Sequence, residues 1–296
     1  MAVALALAAQ FALIHRGKHW DLFARPQVFE RYRADISRFF DFAEQVFERI
    51  EGALGLKFPR RRYNLLVHEY KGKGLDGFAT GHIRELEGLV KPPAPGIGVI
   101  YDAFFNEFAG IKGYWGYVLI AHETVNLYTG QVLGGGWPVD WWADHKSPFP
   151  AMVAVELLFD IKPEVAVVHH RLLSRDTLYM AFRRLKSDFG WAMFRRALRY
   201  MREDGIVLDR LGKNPSRLRT DYVAAYLVLG ASEDITPILV EAGVGTLDPE
   251  EALAIARARQ ELRALKQVPG KAWELFRDGR WREALRLARS AKGKEG

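Results

Sequence analysis

A change of hydrophobic period near Gly113 is the strongest constraint on how this 296-residue chain can fold. Before it, apolar residues alternate over short stretches bounded by Gly and Pro. After it, they recur every three or four residues for most of the remaining length. Strands first and helices second predict an α+β fold with segregated parts. The expected architecture is a small N-terminal mixed sheet with a long helix, followed by a mostly helical C-terminal portion. Three segments follow: an α/β subdomain over 1–113, a helical subdomain over 114–246, and a basic helical hairpin over 247–296.

The first segment reads as a strand over 11–24 and an amphipathic helix over 28–52. Val28, Phe29, Tyr32, Ile36, Phe39, Ala43, Val46, Phe47 and Ile50 share one face of that helix. Pro26 precedes it and Gly52 ends it. Strands are expected at 62–70 and 97–102, around a glycine-rich loop at 71–81 and a rigid turn at 91–96. That loop lacks the Lys-Ser/Thr ending of a phosphate-binding loop, so no phosphate role is assigned to it. The second segment opens on a helix from about 114 to 129, closed by Gly130. A further helix starts at Pro138 and is interrupted by Pro148 and Pro150. More helices are expected at 150–159, 174–204 and 219–231.

Composition removes several function classes. Hydrophobic residues make up 49% of the chain, enough for a real core. Cysteine is absent, which excludes disulfides and any Cys-based metal or nucleophile chemistry. The net charge is +7, but residues 251–296 hold twelve Lys/Arg against six Asp/Glu. The basicity therefore belongs to the tail, where it reads as a solvated helix face or a docking surface rather than a nucleic-acid signal. Within the tail, residues 269–291 resemble half of a tetratricopeptide repeat, with Gly279 at the turn. The first 14 residues are apolar, without a preceding Lys or Arg, and too short to span a membrane. No other segment reaches transmembrane length. A cytoplasmic location is expected, with secretion as the alternative.

Candidate chemistry centres on residues 118–130, "VLIAHETVNLYTG". His122 and Asn126 lie four apart on one helix face. In HExxH, two histidines so placed ligate zinc and the intervening Glu is the general base. Here Asn126 replaces the second histidine and Glu123 holds the base position. An amide oxygen is a poorer zinc ligand than imidazole. A third protein ligand is also required, and the next helix is its natural source.

That next helix begins "GWPVDWWADH". The phrases "HETVN" and "GWPVDWWADH" together resemble the core of the zincin-like (gluzincin-type) metallopeptidase superfamily, near the basic secretory protein family. In that family HExxH is followed by a glycine-containing loop and a helix bearing an acidic ligand in an "EGxADY"-like phrase. The resemblance places Asp140 at the acidic ligand position and Asp144 in a supporting role behind it. "HWDLFA", "RRRYNLLVHEY", "FGWAMFRRALRYMREDGI" and "DYVAAYLVLGASEDITPILVEAGV" extend the likeness over roughly residues 11–245.

The resemblance implies a metal-dependent peptide hydrolase. His122, Asn126 and Asp140 would hold zinc, and Glu123 would take a proton from metal-bound water. His145 is a further ligand candidate, although five residues beyond Asp140 it projects to another side of its helix. His169 and His170 are others. Tyr222 is the leading oxyanion partner, with Tyr179 and Tyr226 as alternatives. Trp137, Trp141 and Trp142 would line the cleft. The competing reading is an inactive descendant of this fold that keeps the cleft as a binding or scaffold surface. On either reading the partner is a peptide or protein, and the C-terminal hairpin is a candidate docking element.

Overall fold

The structure is a computed structural model that describes residues 11–69, 77–90, 94–135, 148–212, 216–265 and 267–292. Their contacts divide into two units. The first comprises residues 1–52, 57–131 and 150–173; the second comprises 53–56, 132–149 and 174–296. This division cuts the chain differently from the boundaries expected at 113 and 246. The motif helix joins the sheet, and the C-terminal tail joins the helices before it.

In the first unit, the single strand expected over 11–24 is a hairpin of β1 (Ala12–Arg16) and β2 (Trp20–Ala24). Gly17 forms the turn, where a Cβ would fall 2.1 Å from Glu44 Oε1. That carboxylate accepts the backbone N–H groups of His19 and Trp20, satisfying the donors that the break releases. Helix α1 (Pro26–Leu54) follows, with the stripe Ile36, Phe39, Ala43, Val46, Phe47 and Ile50 fully enclosed, as its periodicity predicts.

Strands β3 (Tyr63–His68) and β5 (Gly96–Ile100) run parallel to β2 and to each other. The glycine-rich stretch expected as a loop contains a strand, β4 (Gly77–Thr80), antiparallel to β5. It forms because Gly98 lies opposite Phe78, whose ring fills the space a Cβ at Gly98 would need, 2.3 Å away. The sheet order is β1-β2-β3-β5-β4, so β4 is an edge strand. Strand alternation sorts the two faces. Trp20, Leu22 and Tyr63 point toward α1, where Trp20 Nε1 donates to the Ala43 carbonyl at 3.0 Å. Phe23 and Leu66 point the other way, into a cluster with Ile83, Leu86 and Ala94.

After a short ribbon of β6 (Glu107–Phe108) and β7 (Ile111–Lys112), helix α2 (Tyr114–Leu133) carries the HETVN motif. It runs through Gly130, expected to end it, and stops at Gly134, whose φ is 60°. Pro148 and Pro150 lie at the described start of α3 (Pro148–Ile161). The helix expected from Pro138 lies outside the described residues. Helix α4 (Pro163–Leu173) follows.

The second unit is helical: α5 (Thr177–Glu203), α6 (Arg217–Ala231), α7 (Thr236–Glu241), α8 (Pro249–Ala264), α9 (Gly270–Arg277) and α10 (Trp281–Lys292). The tail is part of its core rather than an appendage. Asp204, 1% exposed, accepts bonds from Arg259 Nε (2.8 Å), Arg263 Nε (2.9 Å) and the Tyr226 hydroxyl (2.7 Å). Its backbone carbonyl accepts from Arg277 Nε at 2.6 Å. Arg282 and Arg289 pair with Glu251 and Glu261, joining α10 to α8. Much of the basic tail is therefore neutralised inside its own fold. No described helix is long and apolar enough to cross a membrane.

Two predictions follow from these buried charges. Asp204→Ala leaves two arginines without their counterion and should lower the unfolding free energy by about 3–5 kcal/mol, read from the denaturant midpoint. Asp221, 1% exposed, accepts the Asp248 N–H at 2.8 Å. Burial raises its pKa from 3.8 to about 6, against the lowering effects of the Asp248 N–H and Arg217; Asp248 and Glu251 raise it further. A raised carboxyl pKa favours the folded state in acid, and that contribution disappears as pH rises through 6. Between pH 4 and 7, Asp221→Asn should remove up to about 3 kcal/mol of this pH dependence in chemical denaturation.

Candidate functional site

Helix α2 has one formally charged residue among its 20, Glu123. Apolar side chains on nearly all sides commit such a helix to the interior. Gly116 allows it to approach α1, because a Cβ there would lie 2.7 Å from Phe39 Cε1. The hydroxyls of Thr124 and Thr129 are satisfied within the helix, donating to the carbonyls of Ile120 (2.6 Å) and Val125 (3.2 Å).

Glu123 is 9% exposed. Asn126 Nδ2 donates to its Oε2 at 3.1 Å. The side chain at the second ligand position thus turns back onto the helix's own carboxylate. Among the described residues, no Lys or Arg lies within ion-pair distance of Glu123. Half-buried His122 sits beside it. Burial pushes its pKa below the usual histidine value, opposed by the Glu123 charge, so the ring is neutral at pH 7. Edge strand β4 closes over this group. A Cβ at Gly77 would lie 3.2 Å from Glu123 Cγ and 3.3 Å from Leu119 Cδ2, so only a glycine lets the strand approach this closely without displacement.

Asp140, Asp144, His145, Trp137, Trp141 and Trp142 lie outside the described residues. Among the described ones, no three His, Cys, Asp or Glu side chains form a group able to hold a metal ion. His169 Nδ1 meets the Tyr114 hydroxyl at 2.9 Å, at the start of α2. Eight residues separate Tyr114 from His122, about 12 Å along the axis. That distance corrects the expectation that His169 reaches the motif. The ring of His170 faces Phe159, with centroids 6.4 Å apart.

Tyr222, the expected oxyanion donor, belongs to the second unit, is fully buried, and its hydroxyl donates to the Phe276 carbonyl at 2.6 Å. Burial raises its pKa far above the usual tyrosine value. Tyr226 is spent on Asp204 in the same unit, and Tyr179 is buried there too. Sequence reasoning missed Gly77 and its strand. The Asp76–Gly77 dipeptide followed by Phe-Ala-Thr was the available signal, since Asp-Gly before a short β-prone run marks strand entry.

A proton NMR titration should show the His122 ring changing charge below the ordinary midpoint of about 6.5. A midpoint above that value would mean that the ring gains a counterion rather than losing solvent. No family model, curated protein or solved structure matches this chain.

Proposed function

We propose that this chain is a non-catalytic descendant of a zincin-like fold that binds an extended peptide along β4, beside His122, Glu123 and Asn126. The observation that carries the reading is the 3.1 Å hydrogen bond from Asn126 to Glu123. A general base must be free to take a proton from metal-bound water, and the second ligand position must face the metal. Here the two side chains engage each other. Asn126 also supplies only a neutral amide where a zinc site needs a strong donor.

The peptide part of the reading rests on the sheet edge. Among the described residues no strand pairs with the outer side of β4. Its four residues are all half-buried. An edge strand offers unpaired N–H and C=O groups, and an added extended segment satisfies them while presenting alternate side chains to both faces. Gly77 brings that edge against the stem of Glu123. A docked segment would thus run past the one charge on α2.

The test has two arms. Protein purified without added metal should contain no stoichiometric zinc and should acquire none under excess zinc, whereas Asn126→His should bind zinc measurably more tightly. A stoichiometric ion in the unmodified protein that disappears in His122→Ala would overturn the non-catalytic reading and favour a zinc peptidase. In the second arm, extended peptides screened by fluorescence anisotropy should bind, and backbone N-methylation of a binding peptide should abolish the signal. Binding insensitive to N-methylation would remove the edge-strand mode.

A further inference from the structure

The first unit carries a groove of about 530 Å³ on the side of α2 turned away from His122. It lies between the solvent-facing side of α1 and the corner where α3 passes into α4, with buried Phe42 and Tyr117 at its floor. Tyr117 stands five residues before His122, about 140° around the helix, so the groove and the β4 edge use different sides of α2. The volume is that of a small-molecule site. Charges of both signs line it. Arg38 and Asp41, three residues apart, share the exposed side of α1, and Lys162 lines the groove from the corner. Lys162 Nζ lies 5.0 Å over the Tyr117 ring and 3.8 Å from Glu164. Arg38 donates to Asp35 at 2.9 Å. Both cations are therefore oriented before a ligand arrives. A guanidinium has five N–H donors and an ammonium three, so each keeps donors for a ligand oxygen beside its present partner.

We infer that this groove binds a free α-amino acid with an apolar side chain. Its carboxylate is held by Arg38 and Lys162, its ammonium by Asp41, and its side chain lies over Phe42, Tyr117 and Ile161. The combination of signs carries the inference. A ligand that is only an anion meets the like charge of Asp41, and one that is only a cation meets two like charges. A ligand with both signs satisfies all three groups. The apolar floor rewards a nonpolar body between the two charged ends. This site stands apart from the peptide-binding reading and does not depend on it.

The experiment uses the full chain and three probes of one shape, measured by isothermal titration: L-phenylalanine, 3-phenylpropionate, which lacks the ammonium, and 2-phenylethylamine, which lacks the carboxylate. The amino acid should bind more tightly than either analogue, on the order of tenfold. Asp41→Asn should bring L-phenylalanine down to the level of 3-phenylpropionate without weakening the latter. Lys162→Gln should weaken both carboxylate probes and leave 2-phenylethylamine unchanged. The three probes on the unmodified protein decide the matter even where a variant does not fold. Absence of binding by L-phenylalanine, equal binding of all three probes, or a loss in the folded variants that is the same for all three would each overturn the inference.

Discussion

Burial of helix α2 is the constraint on which the first unit depends. Twenty residues with a single formal charge bury most of their surface, leaving half-exposed the stripe of Trp115, Leu119, His122, Asn126 and Gly130. Helix α1 offers its aromatic stripe, with Phe39 and Phe42 against Tyr117 at ring-centroid distances of 4.5 and 4.9 Å. The sheet supplies another wall, and Gly77 and Gly116 remove the side chains that would hold strand and helix apart. Packing of this kind penalises even a methyl group in excess, which is why glycine stands where the closest approaches occur. The motif residues are therefore fixed by a rigid helix instead of a loop, and their orientation is set by the surrounding core.

In the second unit the corresponding role falls to a charge. Asp204 follows the end of α5, and the side chains that enclose it come from α6, α8 and α9. A buried carboxylate with this many donors fixes the placement of every element that supplies one, since withdrawing any of them leaves an unsatisfied group in a low-dielectric interior. The guanidinium groups are packed as well as paired: Arg259 lies 4.4 Å over Tyr200 and Arg263 4.9 Å over Trp273. Residues that read as a basic, solvent-facing tail are thus partly the ionic core of the unit.

The two enclosed carboxylates have different surroundings. Asp204 is held by Arg259, Arg263 and Tyr226, and its charge serves the fold. Glu123 accepts from the Asn126 amide, with no Lys or Arg at ion-pair distance among the described residues.

The sequence by itself determined the elements whose evidence is local. The period of α1, the strands around 63–68 and 96–100, the helical character after Gly113 and the shared face of His122 and Asn126 were all legible, because spacing along the chain sets them. What spacing could not express was partnership. Strand β4 reads as a glycine-rich loop because its stability comes from β5 and from the Phe78 ring lying across Gly98. Gly17 breaks an apparent single strand because Glu44, on another element, satisfies the turn. Tyr222 reads as a catalytic candidate, and its hydroxyl donates to the Phe276 carbonyl; Asn126 reads as a substituted ligand, and its amide donates to Glu123. Only the tertiary structure decided these, because hydrogen-bond partners and counterions are chosen by distance in space, and a sequence records only distance along the chain.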